Sequence, residues 1–223
     1  MIVHPLASLP YRAAWALQEE AHARVVAGGE EEVLLVEHAP VITFGRRAGV
    51  PQNVVASAEE LGRRGVEVVQ SDRGGDVTFH GPGQLVAYPI VRLIDHRLSV
   101  GAYVQRLEDV AIATLADLGI VAHKDVAAIG VWVGEGAAAR KICALGVRIR
   151  RGVSMHGIAL NVTTDLSFFD LIVPCGLRDR EVTSVGRELP DGGVTVADAG
   201  RVLVRRLVAT FGPDGGHESG GLG

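Results

Sequence analysis

Cysteine is nearly absent from this chain: among 223 residues only Cys143 and Cys175 occur, with no C-x-x-C pair. Such a density excludes a disulfide-stapled scaffold or a Cys-rich zinc module and predicts a reducing, cytoplasmic compartment. Aromatic residues make up 4% of the chain against 48% hydrophobic residues overall, so the core has to be filled by Val, Leu, Ile and Ala. Those residues suit closely packed sheets and helices. Cationic charge is in deficit as well: a formal net charge of -4 argues against a nucleic-acid binder, which depends on excess Lys and Arg. The longest stretch free of Asp, Glu, Lys and Arg, Val77 to Val91, carries Gly81, Pro82, Gly83 and Pro89. No membrane helix is expected from it, and the N-terminus has no basic start before an apolar run.

What is present reads as one domain over residues 1–211, followed by a Gly-rich tail over 212–223, GPDGGHESGGLG, whose composition predicts disorder. Three amphipathic helices are expected. The first begins near Pro10, with Ala14, Leu17, Ala21 and Val25 on one face, and stops at Gly28-Gly29. The second runs from Ser99 to Gly119, and the third follows Thr195, whose capping partner is Asp198. A short helix after Ser57 has Glu60 in the capping position. Runs rich in β-branched residues predict strands at Val33–Glu37, Val41–Phe44, Val66–Gln70, Val77–His80, Leu85–Ile90, Gly130–Val133, Ile142–Ile149 and Val153–Val162. These strands do not alternate regularly with helices. An α+β fold with a mixed or antiparallel sheet is therefore expected rather than a doubly wound one.

Asp72 to Tyr88 reads DRGGDVTFHGPGQLVAY, two Gly turns around a short strand. This is neither a GxGxxG turn entering a helix nor a Walker loop, so no nucleotide site follows from it. It reads equally as a ligand-binding segment, with Arg73, Thr78, His80 and Gln84 as hydrogen-bonding groups, or as a tight β-hairpin whose glycines serve only its turns. His80 and His156 have the right pKa range for a general base, although a lone histidine beside a Gly turn is more often structural. Neither pairs with cysteine at a zinc-site spacing.

Arg140 to Val162, RKICALGVRIRRGVSMHGIALNV, predicts two strands joined at Arg150-Arg151-Gly152. Period two puts Lys141 on one face with Cys143, Leu145, Val147 and Ile149. It puts Arg140, Ile142, Ala144, Arg148 and Arg150 on the other, where the arginines are expected to be solvated or to dock an acidic partner. A lysine among apolar neighbours is a candidate proton acceptor or thiolate partner; it reads as well as a strand-end lysine reaching solvent. Cys143, within a strand, behaves as a small hydrophobe. Cys175, in LIVPCGL, sits where an apolar run breaks at Pro174 and is the better nucleophile candidate, provided that a cationic or basic group adjoins it.

In this order and spacing, RGGDVTFHGPGQLVAYP, KICALGVRIRRGVSMHGIALNV and VPCG, with LLVEHAPVITFG upstream, resemble the lipoyl(octanoyl) transferases, within the biotin and lipoate ligase superfamily. The resemblance implies a single α+β domain with a larger mixed β-sheet and a smaller sheet flanked by helices. It implies transfer of an octanoyl group from octanoyl-acyl carrier protein to a lysine of lipoyl domains, in 2-oxoacid dehydrogenase complexes and the glycine-cleavage H protein, without metal or cofactor. It also implies that Cys175 carries the acyl thioester and Lys141 activates it, while Arg73, Gly74, Gly75, Asp76, Val77, Thr78, Phe79, His80, Ala144, Leu145, Gly146, Gly157, Ile158 and Ala159 bind the acyl substrate. Asp76 and Phe79 stand where Gln and Tyr are more usual. The alternatives are an ATP-dependent lipoate-protein ligase, sharing the fold but needing no cysteine, and a non-catalytic module that binds acyl chains or lipoyl domains.

Overall fold

The computed structural model describes residues 1–5, 7–46, 53–126, 128–173 and 180–212. In chain order its elements are β1 (Ile2–Pro5), α1 (Tyr11–Val26), β2 (Glu32–Val36), β3 (Val41–Phe44), α2 (Ala58–Arg63), β4 (Glu67–Gln70), β5 (Val77–His80), β6 (Gln84–Ile90), α3 (Val100–Asp117), β7 (His123–Lys124), β8 (Val131–Val133), β9 (Arg140–Arg150), β10 (Val153–Asn161), α4 (Val185–Glu188) and α5 (Val196–Phe211). The strands form a seven-stranded sheet, ordered β1-β2-β6-β10-β9-β8-β7, and a three-stranded sheet, β4-β3-β5. Each is mixed, with one parallel pair: β1 with β2, and β3 with β4. The α+β architecture with a larger and a smaller sheet is the one expected.

Alternation along the central strands sorts the core. Leu85 and Ala87 of β6 and Ile158 and Leu160 of β10 pack with α3 and α5. Val86, Tyr88 and Ile90, with Ala159, pack with Ala14, Ala21 and Val25 of α1 on the opposite face. Both faces are thus covered, so β10 is buried throughout rather than alternating with solvent.

Local chemistry starts and stops these elements as expected. The side chains of Ser57, Ser99 and Thr195 accept hydrogen bonds from the amides of Glu60, Ala102 and Asp198, and Thr195 with Asp198 forms a complete capping box. The β9–β10 hairpin turns on Arg151 (φ 50°) and Gly152 (φ 76°), the two positive φ values that suit a right-twisted two-residue turn.

Two readings are corrected. β5 and β6 do not form a hairpin: β5 pairs with β3 in the small sheet, whereas β6 pairs with β2 and β10 in the large one. Gly81 to Gly83 is a crossing between sheets, and it is sterically demanding. A Cβ at Gly83 (φ 82°) would lie 2.6 Å from the Thr163 backbone. The arginines of β9 keep 27–37% of their side-chain surface in solvent, but they do not stand open for an acidic partner, because each already has an internal carboxylate: Arg148 on Asp72 at 2.6 Å, Arg140 on Glu188 at 3.1 Å, and Arg150 on Glu19. Among the described residues, no helix is long and apolar enough to cross a membrane, and no cluster of His, Cys, Asp and Glu is arranged to hold a metal ion.

Candidate active site

A cavity of about 500 Å³ opens between the large sheet and the segment leading into β5, a size ordinary for a small-molecule site. Residues 73–78 and His80 line one side; Ala144, Leu145 and Gly146 of β9 and Gly157, Ile158 and Ala159 of β10 line the other, and Lys141 is among the lining residues. The three expected segments thus converge on one space. Phe79 is the exception. Its side chain, 1% exposed, packs into the small sheet's own core, where it stacks on Phe168 at 4.6 Å between ring centroids.

Glycine lets the two sides approach. Gly146 and Gly157 are directly paired across β9 and β10. A Cβ would meet the Gly74 carbonyl 2.9 Å from Gly146, and the Ala87 carbonyl 2.5 Å from Gly157. The Gly74 amide donates to the Val147 carbonyl at 2.8 Å, joining the loop to β9 across the space these glycines leave. Arg73, 7% exposed, does not lie open in the cavity: its guanidinium donates to the Thr43 carbonyl at 2.7 Å and to the Gly74 carbonyl at 3.0 Å, which holds the loop's shape. Asp76 accepts from Asn53 Nδ2 at 3.0 Å and from the Val77 amide at 2.8 Å.

Polar side chains gather toward α1, several of them unremarkable in the sequence. Asn161 Nδ2 donates to the Thr183 carbonyl at 3.0 Å, so its Oδ1 accepts from Gln84 Nε2 at 2.9 Å. Gln84 Oε1 in turn accepts from His80 Nδ1–H at 2.7 Å. That chain fixes one tautomer, with His80 Nε2 unprotonated, and burial holds this imidazole well below its ordinary pKa. Tyr11 stacks on His80 at 5.9 Å, and burial raises its phenol pKa. Tyr88 OH donates to His38 Nε2 at 2.7 Å, while His38 Nδ1 donates to the Leu9 carbonyl. Tyr11, Tyr88, Gln84 and Asn161 all line the cavity. Alternation within the QLVAY run was the available signal for Tyr88; nothing local marked Tyr11 or Asn161.

His156 (φ 58°) donates from Nε2 to Asp72 Oδ1 at 2.7 Å, and Arg148 holds the other Asp72 oxygen. Burial raises the Asp72 carboxyl, but these two partners outweigh it and hold the pKa below the ordinary range; burial keeps His156 neutral.

Burial depresses the His38 pKa from 6.5 to about 4. Between these values the unfolded chain binds a proton that the folded one refuses, so stability falls as pH drops from 6.5 towards 4, by up to about 3 kcal/mol. The depressed Asp72 carboxyl acts in the same direction, its contribution being lost as pH falls through its folded value. Urea unfolding at pH 7 and pH 4.5 should show this loss, and His38→Gln should reduce it by the His38 share, the buried His80 and His156 supplying a remainder of the same sign. An unchanged slope in that variant would assign the acid sensitivity elsewhere.

Lys141, half-buried at the end of β9, donates from Nζ to the Ile129 carbonyl at 3.1 Å and lies 4.7 Å from the Trp132 ring centroid. Its backbone pairs with the segment that returns from Cys175: the Lys141 amide donates to the Glu181 carbonyl and the Thr183 amide to the Lys141 carbonyl, both at 2.9 Å. Cys175 itself lies outside the described residues. Cys143, Leu145, Val147 and Ile149 pack on the α3 side as expected. Ile142, expected on the opposite face, packs there too, beside a register shift in β8 between Val131 and Trp132. Cys143 is fully buried and its thiol pKa is pushed up to about 12 by desolvation, which leaves it inert.

The fold is that of the lipoate ligases. A lipoate-protein ligase A solved with ATP superposes with a TM-score of 0.75 at 18% identity, over 94% of this chain and 85% of that one. A bipartite lipoate protein ligase from Thermoplasma acidophilum gives 0.71 at 17% identity, over 94% and 84%. In sequence, residues 10–208 match the model of the lipoyl protein ligase A/B catalytic domain. Octanoyltransferases from Chloroflexus aurantiacus and Nitratidesulfovibrio vulgaris are 50% and 44% identical, each over 95% of this chain and, respectively, 92% and 94% of theirs. The chain belongs to the lipoyl protein ligase A/B catalytic-domain family and, within it, to the octanoyltransferases.

Proposed function

We propose that the protein transfers an octanoyl group from octanoyl-acyl carrier protein to a lysine of lipoyl domains, through a thioester on Cys175 with Lys141 as its partner. Relatives named octanoyltransferase support the reaction class. The observation that carries the mechanism is the position of Lys141: it lines the cavity, and its main chain is hydrogen-bonded to residues 181–183, a few residues beyond Cys175. Glycines and small apolar side chains on β9 and β10 suit an alkyl chain, whose burial contributes about 0.8 kcal/mol per methylene.

In the first half-reaction the Cys175 thiol gives its proton to Lys141, and the thiolate attacks the donor's thioester carbonyl. A new C–S bond forms to Cys175, the C–S bond to the carrier breaks, and the departing thiolate takes up the proton. In the second, the acceptor amine attacks the Cys175 thioester, an amide C–N bond forms, and the amine's surplus proton passes through Lys141 to the released sulfur. Both lipoyl-domain classes, those of the 2-oxoacid dehydrogenases and the glycine-cleavage H protein, are acceptors in this reading. The cytoplasm is its compartment, and substrate binding falls to residues 73–78, His80, 144–146 and 157–159.

Incubation with octanoyl-carrier protein alone is expected to add one octanoyl mass to the peptide containing Cys175. Adding a lipoyl domain then discharges it without ATP. Acylation of the acceptor only when ATP is supplied would favour the ligase route instead, and no adduct on Cys175 would sink the covalent mechanism.

A further inference from the structure

The segment that cradles Lys141 is more elaborate than a strand-end lysine needs. Trp132, 1% exposed, lies opposite Lys141 in the β8–β9 ladder and is fixed by its own indole N–H, which donates to the Ala128 carbonyl at 3.1 Å. The Lys141 ammonium sits 4.7 Å from this ring, and the Arg180 guanidinium lies at the same distance from it, paired with Asp125. Gly130 completes the seat: a Cβ there would lie 2.9 Å from Lys141 Cε, and its amide is tied to the Glu108 carboxylate at 3.0 Å.

From this arrangement we infer that Trp132 is a positioning residue for the transfer reaction, its π-face fixing the Lys141 amine beside the cavity and stabilising the ammonium that forms when Lys141 takes up the thiol proton, and tying Arg180 to the same ring. The inference rests on the reading of Lys141 as the partner of Cys175. Its physical basis is the negative face of the indole, which favours the charged over the neutral amine, most strongly where water is excluded. Charged or titratable groups around the ammonium include Arg180 with Asp125, Glu108 beneath Gly130, and the Cys143 thiol. Arg180 opposes the ammonium. The carboxylates and the ring offset that opposition, which gives a buried aromatic a reason to adjoin both cations.

The test keeps the shape and removes the quadrupole. The chain has two tryptophans, Trp15 and Trp132, so mono- and difluorinated tryptophan can be incorporated in a Trp15→Phe background. The readout is the titration midpoint of the Lys141 ε-carbon by NMR, assigned with Lys141→Arg. The midpoint is expected to move acidward stepwise with fluorination, by about half a pH unit in total, and the acid limb of the pH–rate profile should follow it. Trp132→Phe, which keeps a π-face, should retain most of the midpoint, whereas Trp132→Leu should lose it. Gly130→Ala, which pushes on Lys141 Cε, should lower the rate with little change in KM. A midpoint unmoved by fluorination would overturn the inference. A midpoint that moves in a protein without transfer activity would instead keep the Trp132 assignment and sink the transfer reading.

Discussion

Cys175→Ser is expected to abolish ATP-free octanoyl transfer, a loss of at least about a thousandfold, because a neutral hydroxyl is a far weaker nucleophile than a thiolate at neutral pH. Cys143→Ser should behave differently. That thiol is fully buried within the sheet, with its pKa near 12, so the change buries a hydroxyl in an apolar site and costs about 1–3 kcal/mol of stability while transfer persists. The two variants need to be compared at a temperature where both are folded, by circular dichroism and by transfer rate in parallel. Equal loss of activity from both would remove the reason for preferring Cys175.

Lys141→Met should cost between about a hundredfold and ten-thousandfold in transfer at pH 7, the range expected when a positioned proton acceptor is removed. The two half-reactions should respond differently as pH rises. Formation of the Cys175 adduct should recover towards the wild-type rate above about pH 8.5, where an unassisted thiol ionises by itself. Discharge onto a lipoyl domain should recover less, since the acceptor amine still lacks a proton acceptor. Rapid-quench mass spectrometry resolves the two steps. Because both residues act on one proton, Cys175→Ser with Lys141→Met should be scarcely worse than Cys175→Ser alone. Wild-type adduct formation at pH 7 in Lys141→Met would separate the lysine from the thiol.

Much of the architecture was legible where local chemistry and burial agree. Ser99 and Thr195 each cap a helix whose apolar residues repeat on one face, and the structure returns both helices within a residue or two of the expected bounds. The β9–β10 hairpin was equally plain. What escaped was decided by partners distant in sequence. β1 has four residues and exists through its parallel pairing with β2, and β7 has two; neither is long enough to show a period. α1 was placed correctly, but Gln18 and His22 are buried beside its apolar residues. Their polar atoms are used by β10 and the hairpin: Gln18 accepts from the His156 amide and His22 bonds the Arg150 carbonyl.

The candidate site divides in the same way. Contiguous motifs brought thirteen of the fourteen expected substrate-binding residues to the cavity, while Phe79 packs into the core of the small sheet. Trp132 was hidden in a short apolar run, GVWV, that looked like any edge strand. Tyr11 was merely the start of a helix. Both matter through contacts 9 and 69 residues away along the chain, with Lys141 and His80 respectively, and no local pattern encodes such distances. The β9 arginines misled for a related reason. Parity gave their face, but the carboxylates that occupy them come from α1, from the loop before Arg73 and from α4.

The facing pair Gly146 and Gly157 restricts how such a protein could change over evolutionary time. At this place the cavity wall is bare peptide, and any side chain would strike a carbonyl belonging to another part of the fold, that of Gly74 or Ala87. Selection for a longer, shorter or bulkier acyl group therefore has no gradual route through these two positions. Tolerated drift has to occur at their neighbours, Val86, Leu145 and Ile158, where one methylene can be gained or lost at a time. The glycines would then mark a fixed point of the lineage, and the residues beside them its adjustable ruler.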